Sequence, residues 1–473
     1  MDPLPAFEKR LYIEHPAITK LTAAEVEEWR SANQIELMKN SANAPKPVRT
    51  FLESSFPDYL VSELEASGFR SPTPIQSQGW PIAMSGMDII GLASTGSGKT
   101  LAFALPGIVH IMAQDFLQPG DGPIMLVLAP TRELALQIKA ECDKFGAASG
   151  VKNTCIYGGV PRGPQLRDLQ EGVEVAIATP GRLLDFLDAG DTNLRRTTYL
   201  VLDEADRMLD MGFEPQLRRV VERVRPDRQT LMWSATWPPE VEKLAAEFLA
   251  SPVMVQVNNA GRLQANRSIE QHFEVCSEGD KHGRFLQILR RLQSQHQDAA
   301  ADAAFAAPAA GTSASSTALP KAVDRIIVFS NSKRGCESLR MDMKRRGFGV
   351  EALHGDKSQQ ERDWALQQFK VGATPILIAT DVASRGLDVK GVRAVINFDA
   401  PGQAEDYVHR IGRAGRAGAT GESFTLLTPN DAAFAGDVVR MMRTAGTPLP
   451  RELAPFARTG APMSSSGQKR KWK

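Results

Sequence analysis

The sequence predicts an α/β protein made of two parallel-sheet domains in tandem. Short apolar runs at residues 124–129, 175–178, 199–202 and 231–233 each stop at small polar residues and pass into helical patterns. Strands apolar on both faces and alternating with helices belong to parallel sheets covered on both sides. The pattern recurs at 326–329, 376–379 and 395–398, so a second unit of like construction follows the first. The 473 residues are too many for one ordinary domain and enough for two or three. This places the domains at 50–258 and 269–446, with a polar linker at 259–268, an N-terminal extension at 1–49 and a tail at 447–473.

Composition narrows the class. With 42% hydrophobic and 23% charged residues, the chain has the balance of a soluble globular protein. No apolar run reaches the roughly 18–20 residues that span a bilayer, and the start, Met1-Asp2-Pro3, lacks the layout of a secretory signal. Cys142, Cys155, Cys276 and Cys336 are far apart and form no CxxC pair. Neither a zinc site nor a disulfide framework is expected, and a reducing interior is the simple reading. A net charge of +1 argues against coating nucleic acid by bulk electrostatics and leaves room for a groove with a few placed groups. The stretch 293–322, rich in Ala, Ser, Gln and Asp, reads as a disordered surface insertion in the second unit. The chain closes on Lys469-Arg470-Lys471-Trp472-Lys473.

The chemistry starts after the first strand, at Ala93-Ser94-Thr95-Gly96-Ser97-Gly98-Lys99-Thr100. A strand, this loop and then a helix make a P-loop, whose glycines let backbone N–H groups turn around phosphate oxygens at a helix N-terminus. Lys99 would place its charge on the β/γ-phosphates of ATP, and the Thr100 hydroxyl would bind Mg2+. The usual first glycine is Ala93 here, which suits a position that needs only a small side chain. Asp203-Glu204, at the end of an apolar strand, would supply a carboxylate for Mg2+ and a base for the attacking water.

Asp203-Glu204-Ala205-Asp206, Ser234-Ala235-Thr236 and the run from His409 to Arg416 (HRIGRAGR) together resemble the DEAD-box RNA helicases. The likeness covers about residues 51–424 and implies two RecA-like domains, a P-loop NTPase of helicase superfamily two, with RNA-stimulated ATP hydrolysis. The stretch 7–30 and Met232–Pro238 (MWSATWP) are similar to a nuclear subgroup linked with splicing, transcription and ribosome assembly. A nuclear location therefore follows from the resemblance, with the cytoplasm as the other compartment. A monomer that joins ribonucleoprotein complexes, with no membrane partner, is also implied.

By the same resemblance, Phe51, Phe69 and Gln76 form the adenine pocket, where an amide offers a donor and an acceptor to the base edge. Asp388 contacts the ribose. Arg413 and Arg416, three apart and so on one helix face, are arginine fingers for the γ-phosphate, and the family's usual Thr or Ser is Ala414 here. The resemblance puts RNA at Pro130, Thr131 and Arg132, at Gly158 and Gly159, and at Thr179, Pro180, Gly181 and Arg182. In the second unit it adds Gln359, Arg362 and Thr380. Ser234, Thr236 and His409 would couple the two ligands.

Taken singly, each RNA loop reads as a helix cap or turn, and only a shared place at strand ends makes a track. Hydroxyls, glycines and arginines with few aromatics suit ribose-phosphate contact and little sequence preference. A DNA-translocating enzyme on the same fold and an ATP-gated RNA clamp are the alternatives.

Overall fold

The computed structural model describes residues 6–94, 96–258, 269–292, 325–381, 389, 391–414 and 420–458. They form two compact units that divide within the undescribed linker 259–268. The insertion 293–322, Thr95, Asp388, Arg416 and the basic end 459–473 also lie outside the described residues.

In the first unit the chain runs α1 (Pro16–Thr19), α2 (Ala23–Ala32), β1 (Ile35–Lys39), α3 (Asp58–Ala66), α4 (Pro74–Met84), β2 (Ile89–Leu92) and α5 (Lys99–Met112). It continues with β3 (Met125–Leu128), α6 (Arg132–Gly146), β4 (Asn153–Ile156), α7 (Arg162–Glu171), β5 (Val175–Ala178) and α8 (Pro180–Ala189). It closes with β6 (Tyr199–Leu202), α9 (Ala205–Asp210), α10 (Glu214–Val221), β7 (Gln229–Ser234), α11 (Pro239–Phe248) and β8 (Val253–Val257). The strands order as β1-β8-β2-β7-β6-β3-β5-β4, and every pair but β1 with β8 is parallel.

Side chains alternate across the sheet, as a strand's two-residue period requires. Ile89, Met125, Val127, Tyr199, Val201, Leu231 and Trp233 pack in the core on one face. Ile90, Leu126, Leu128, Leu200, Leu202 and Met232 pack in the core on the other. This double burial is why these strands read as unbroken apolar runs. Trp233 lies over β2, where a Cβ at Gly91 would overlap its ring, so the strand leading to the P-loop needs glycine there.

Residues 1–49, set apart from the sequence as an extension, give the sheet an edge strand: β1 pairs antiparallel with β8, Ile35 opposite Val257. Among its five residues only Ile35 is fully buried, so the alternation left little signal.

Helix α5 buries His110, 2% exposed, against the rings of Phe7 and Tyr199, with its Nε2 hydrogen-bonded to the Thr198 hydroxyl at 2.9 Å. Burial, with the nearby Lys9 charge, holds its pKa down at about 3. A histidine kept neutral when folded contributes stability that is whole above its unfolded pKa of about 6.5 and lost as pH falls toward 3. The first unit is expected to lose about 1.4 kcal/mol per pH unit below about 6.5. Urea unfolding between about pH 7 and 5 measures this, and His110→Gln should flatten the slope.

The second unit runs β9 (Ile269–Val275), α12 (281–292), β10 (Arg325–Phe329), α13 (Lys333–Arg345), β11 (Val350–Leu353), α14 (Gln359–Val371), β12 (Ile376–Ala379) and β13 (Val392–Asn397). The helix Ala404–Ile411, β14 (Gly421–Leu427) and the helix Ala432–Thr444 follow. Its sheet orders β11-β12-β10-β13-β14-β9 and is parallel throughout. The tail set apart at 447 continues this unit as far as the turn Arg451–Arg458, where Leu453 is wholly buried against the core around the last helix. Among the described residues no helix is long and apolar enough to cross a membrane.

Candidate active site

In the first unit the loops after β2, β7 and β6 come together because those strands are neighbours in the sheet. Ligands of such sheets sit beyond the carboxyl ends of the strands. After Leu92 the chain passes through Ala93, wholly buried with its N–H donating to Ser234 O at 3.1 Å, which is why a small residue suffices there. Ser94 and Gly96 are exposed and Ser97 half-buried. Gly96 (φ 79°) and Gly98 (φ 94°) take the left-handed conformation that favours glycine and turns the loop into α5. Lys99 opens that helix, is 7% exposed, and crosses the loop to donate from Nζ to Ala93 O at 2.8 Å. Thr100 is half-buried beside it.

Asp203, at the end of β6, is 3% exposed. Burial pushes its carboxyl up to about 7; Glu204 and Asp206 add to the rise, and the Lys99 charge opposes it. Its Oδ1 accepts from the Glu204 N–H at 3.0 Å. Glu204 sits at φ 51°, ψ 54°, a left-handed conformation costly for a glutamate and typical of residues that work. Half-buried, it starts the turn into α9 without capping it.

The tetrad's last residue, Asp206, joins two motifs. The Asp206 carboxylate accepts from Thr236 Oγ1 (2.8 Å), Thr236 N (2.9 Å) and Ala235 N (3.2 Å), while its own N–H faces Ser234 Oγ at 3.4 Å. Ser234 and Thr236 are thus fastened to the first turn of α9, beside the carboxylates. The available signal was an acidic residue three after Asp203 and a Ser-x-Thr in the same unit.

The Gln76 amide is already engaged at both ends. Oε1 accepts from Thr73 N at 3.0 Å, and Nε2 donates to Gly98 O of the P-loop at 3.0 Å. An amide has two N–H and two lone pairs, so one of each is left for a base edge. Of the two aromatic rings assigned to the base, Phe51 is 5% exposed and packed beside Trp80, and Phe69 is 40% exposed. Lys144 Nζ lies over the Phe69 ring, 5.9 Å from its centre.

The other half of the sheet gathers the loops that the resemblance assigns to RNA. Pro130 and Thr131 follow β3, and the Thr131 hydroxyl caps α6 by accepting from Leu134 N at 3.3 Å. The Arg132 guanidinium lies over the Tyr157 ring, 4.7 Å from its centre. Gly158 and Gly159 are exposed after β4, Gly159 at φ 80°. Thr179 follows β5, with Pro180 at the first position of α8. Thr179 donates its N–H to Ile156 O at 2.8 Å, and Arg182 reaches Val160 O at 3.3 Å from Nη1, so the loops after β4 and β5 are tied together. Gly181 completes this turn, half-buried.

In the second unit Gln359 and Arg362 occupy the first turn of α14, which Ser358 and Glu361 cap reciprocally. Thr380, past β12, donates its N–H to Leu353 O at 3.2 Å, so both places lie at adjacent strand ends. His409 lies half-buried on the helix Ala404–Ile411, and Arg413 follows it, 7% exposed. Ala414 is 1% exposed, a place where a small residue packs without needing a partner. Arg410, within the HRIGRAGR run, carries no role by resemblance, yet it organises this end of the unit. It bonds Asp381 twice at 2.6 Å, Asn331 Oδ1 at 2.7 Å and Asp399 O at 2.7 Å, over the Phe329 ring.

A P-loop with buried lysine and aspartate, a segment reaching it from Gln76, and a second parallel-sheet unit define a two-unit P-loop nucleoside triphosphatase. The family model described as DEAD/DEAH box helicase matches residues 73–244, and that of the helicase conserved C-terminal domain matches 315–418. An ATP-dependent RNA helicase, DBP2, of Eremothecium gossypii is 50% identical over 97% of this chain and 77% of its own length. DEAD-box ATP-dependent RNA helicase 20 of Arabidopsis thaliana is 51% identical over 98% of this chain and 86% of its own. The structure of S. cerevisiae Dbp5 bound to RNA and ADP BeF3 superposes with a TM-score of 0.69 at 26% identity, covering 85% of this chain and 94% of that one. The chain belongs to the DEAD-box ATP-dependent RNA helicases, and its activity is RNA-dependent ATP hydrolysis.

Proposed function

We propose that the chain separates short RNA duplexes locally and without processive travel, or strips protein from RNA, using one ATP cycle per event. The observation that carries this is the junction of β6 and β3. Asp203 donates its backbone N–H to Leu128 O at 3.0 Å, so the carboxylate strand and the strand that opens the RNA loops are direct neighbours. Asp206 extends the connection to Ser234 and Thr236. A change at the phosphates then needs to travel one strand spacing to reach Thr131 and Arg132.

In this reading Lys99 and the P-loop amides hold the phosphates, and Glu204 orients the attacking water and takes its proton. Arg413 and Arg416 contribute charge to the γ-phosphate, and Asp388 binds the ribose. The oxygens of Asp203 and Thr100 fit a hard cation that takes few protein ligands and completes its shell elsewhere. They would hold Mg2+, which when bound neutralises phosphate charge. ATP and RNA each tighten binding of the other, and loss of the γ-phosphate releases both. The protein acts as a monomer within ribonucleoprotein complexes of the nucleus, a reading supported by the subgroup resemblance and open to microscopy of the tagged chain.

RNA and DNA strands of equal length and sequence separate this reading from a DNA translocase. RNA is expected to stimulate ATP hydrolysis at least about tenfold more than DNA does, since the loops meet ribose hydroxyls. Equal stimulation would remove the RNA assignment.

A further inference from the structure

Pro81 stands inside α4, the helix whose first turn carries Gln76. A proline has no N–H for the carbonyl four residues back. Ser77, 1% exposed, would be left with a buried carbonyl lacking its helical partner. The N-terminal extension supplies one: Val48 donates its N–H to Ser77 O at 3.0 Å. Leaving such a group unmet is costly, so the bond matters to where α4 sits.

Two side chains reinforce the splice. Gln78, wholly buried in α4, donates from Nε2 to Pro45 O at 2.9 Å and accepts at Oε1 from Arg30 Nε at 2.9 Å. Arg30 Nη2 reaches the same Pro45 carbonyl at 3.4 Å. Lys46 fastens the splice to the rest of the extension by donating to the carbonyls of Leu21 (2.8 Å), Thr19 (3.0 Å) and Ile18 (3.3 Å). At the other end of the helix Leu11 and Tyr12 both donate to Met84 O, at 2.6 and 2.9 Å.

We propose that Arg30, Pro45 and Val48 are positioning residues for adenine recognition: Val48 replaces the hydrogen bond that Pro81 removes, Arg30 and Pro45 hold the adjacent Gln78, and together they set the turn of α4 from which Gln76 faces the base. The proposal rests on the reading that Gln76 recognises adenine. Gln76 and Ser77 are consecutive, so a shift of the spliced carbonyl moves the amide that also holds Gly98 of the P-loop.

The test uses the full chain carrying Arg30→Met or Val48→Pro, which removes the donating N–H. Each is expected to raise the KM for ATP about three- to tenfold, the range of one lost hydrogen bond. The kcat at saturating ATP and RNA should stay within about twofold and the KM for GTP should rise less than that for ATP, so selectivity for ATP over GTP shrinks. Arg30→Lys, which keeps a charged donor, should recover part of the loss. A fall in kcat with the KM for ATP unchanged would overturn the proposal, as would wild-type selectivity in both variants.

If Val48→Pro shows no cooperative thermal transition, Arg30→Met decides alone, because that side chain is partly exposed and its loss leaves the core filled. Gln76→Ala tests the underlying reading separately. Unchanged selectivity in Gln76→Ala removes base recognition by Gln76, and lost selectivity there with none lost in Arg30→Met removes the splice alone.

Discussion

Replacing Glu204 by glutamine is expected to lower RNA-stimulated ATP turnover by about 10²–10⁴-fold, the usual contribution of a general base. Binding of ATP and RNA should persist. The substitution isolates one property. Glutamine has the same length and carries the same left-handed backbone at φ 51°, so the turn into α9 is undisturbed. Asp203 keeps the backbone N–H it accepts at position 204. What disappears is the charge that can take a proton from water. Removing that charge also lifts one of the influences that raise the Asp203 carboxyl, so affinity for the cation and nucleotide has no reason to fall. Single-turnover hydrolysis with saturating RNA, alongside fluorescence anisotropy of labelled RNA with ATP present, measures both halves. Turnover within about tenfold of the unaltered chain would take Glu204 out of the chemistry.

Arg410→Met is the second large effect, on stability. The guanidinium is 2% exposed and meets Asp381 through two bonds of 2.6 Å, with Asn331 and the Asp399 carbonyl taking further N–H groups. Losing both charge-assisted bonds to Asp381, together with those to Asn331 and the Asp399 carbonyl, costs about 3–5 kcal/mol. The second unit is expected to lose that much in urea unfolding. Hydrolysis is expected to fall as well, since the Arg410 carbonyl accepts the Arg413 N–H at 3.1 Å and the turn would loosen with it. Replacing both partners by apolar residues, Arg410→Met with Asp381→Leu, should return much of the stability without the activity. A loss below about 1 kcal/mol for the single variant would mean that Asp381 is solvated rather than bound.

How much of this was legible depended on how far apart the interacting residues lie. The strand ends were readable because a parallel strand buried on both faces leaves a continuous apolar run, and the polar residues that stop it mark the functional edge. The P-loop was readable because its glycines, lysine and threonine act within eight consecutive residues. The edge strand Ile35–Lys39 was not, since three of its five residues are exposed and its partner comes 222 positions later, from Ile35 to Val257. Resemblance puts Phe51 in the adenine pocket, while its burial beside Trp80 is a matter of packing that no local pattern announces.

The sequence by itself determined the two-unit α/β plan, the phosphate loop, the paired carboxylates and the arginine-rich motif of the second unit. Each is written in a short window where spacing and residue type carry the chemistry. Only the tertiary structure decided that Gln76 is shared between Thr73 and Gly98, that Asp206 fastens Ser234 and Thr236, that Arg410 is a buried anchor and that Val48 supplies the donor that Pro81 lacks. Buried donors and acceptors must find partners wherever the fold brings them, and a pattern along the chain does not record which distant group arrives.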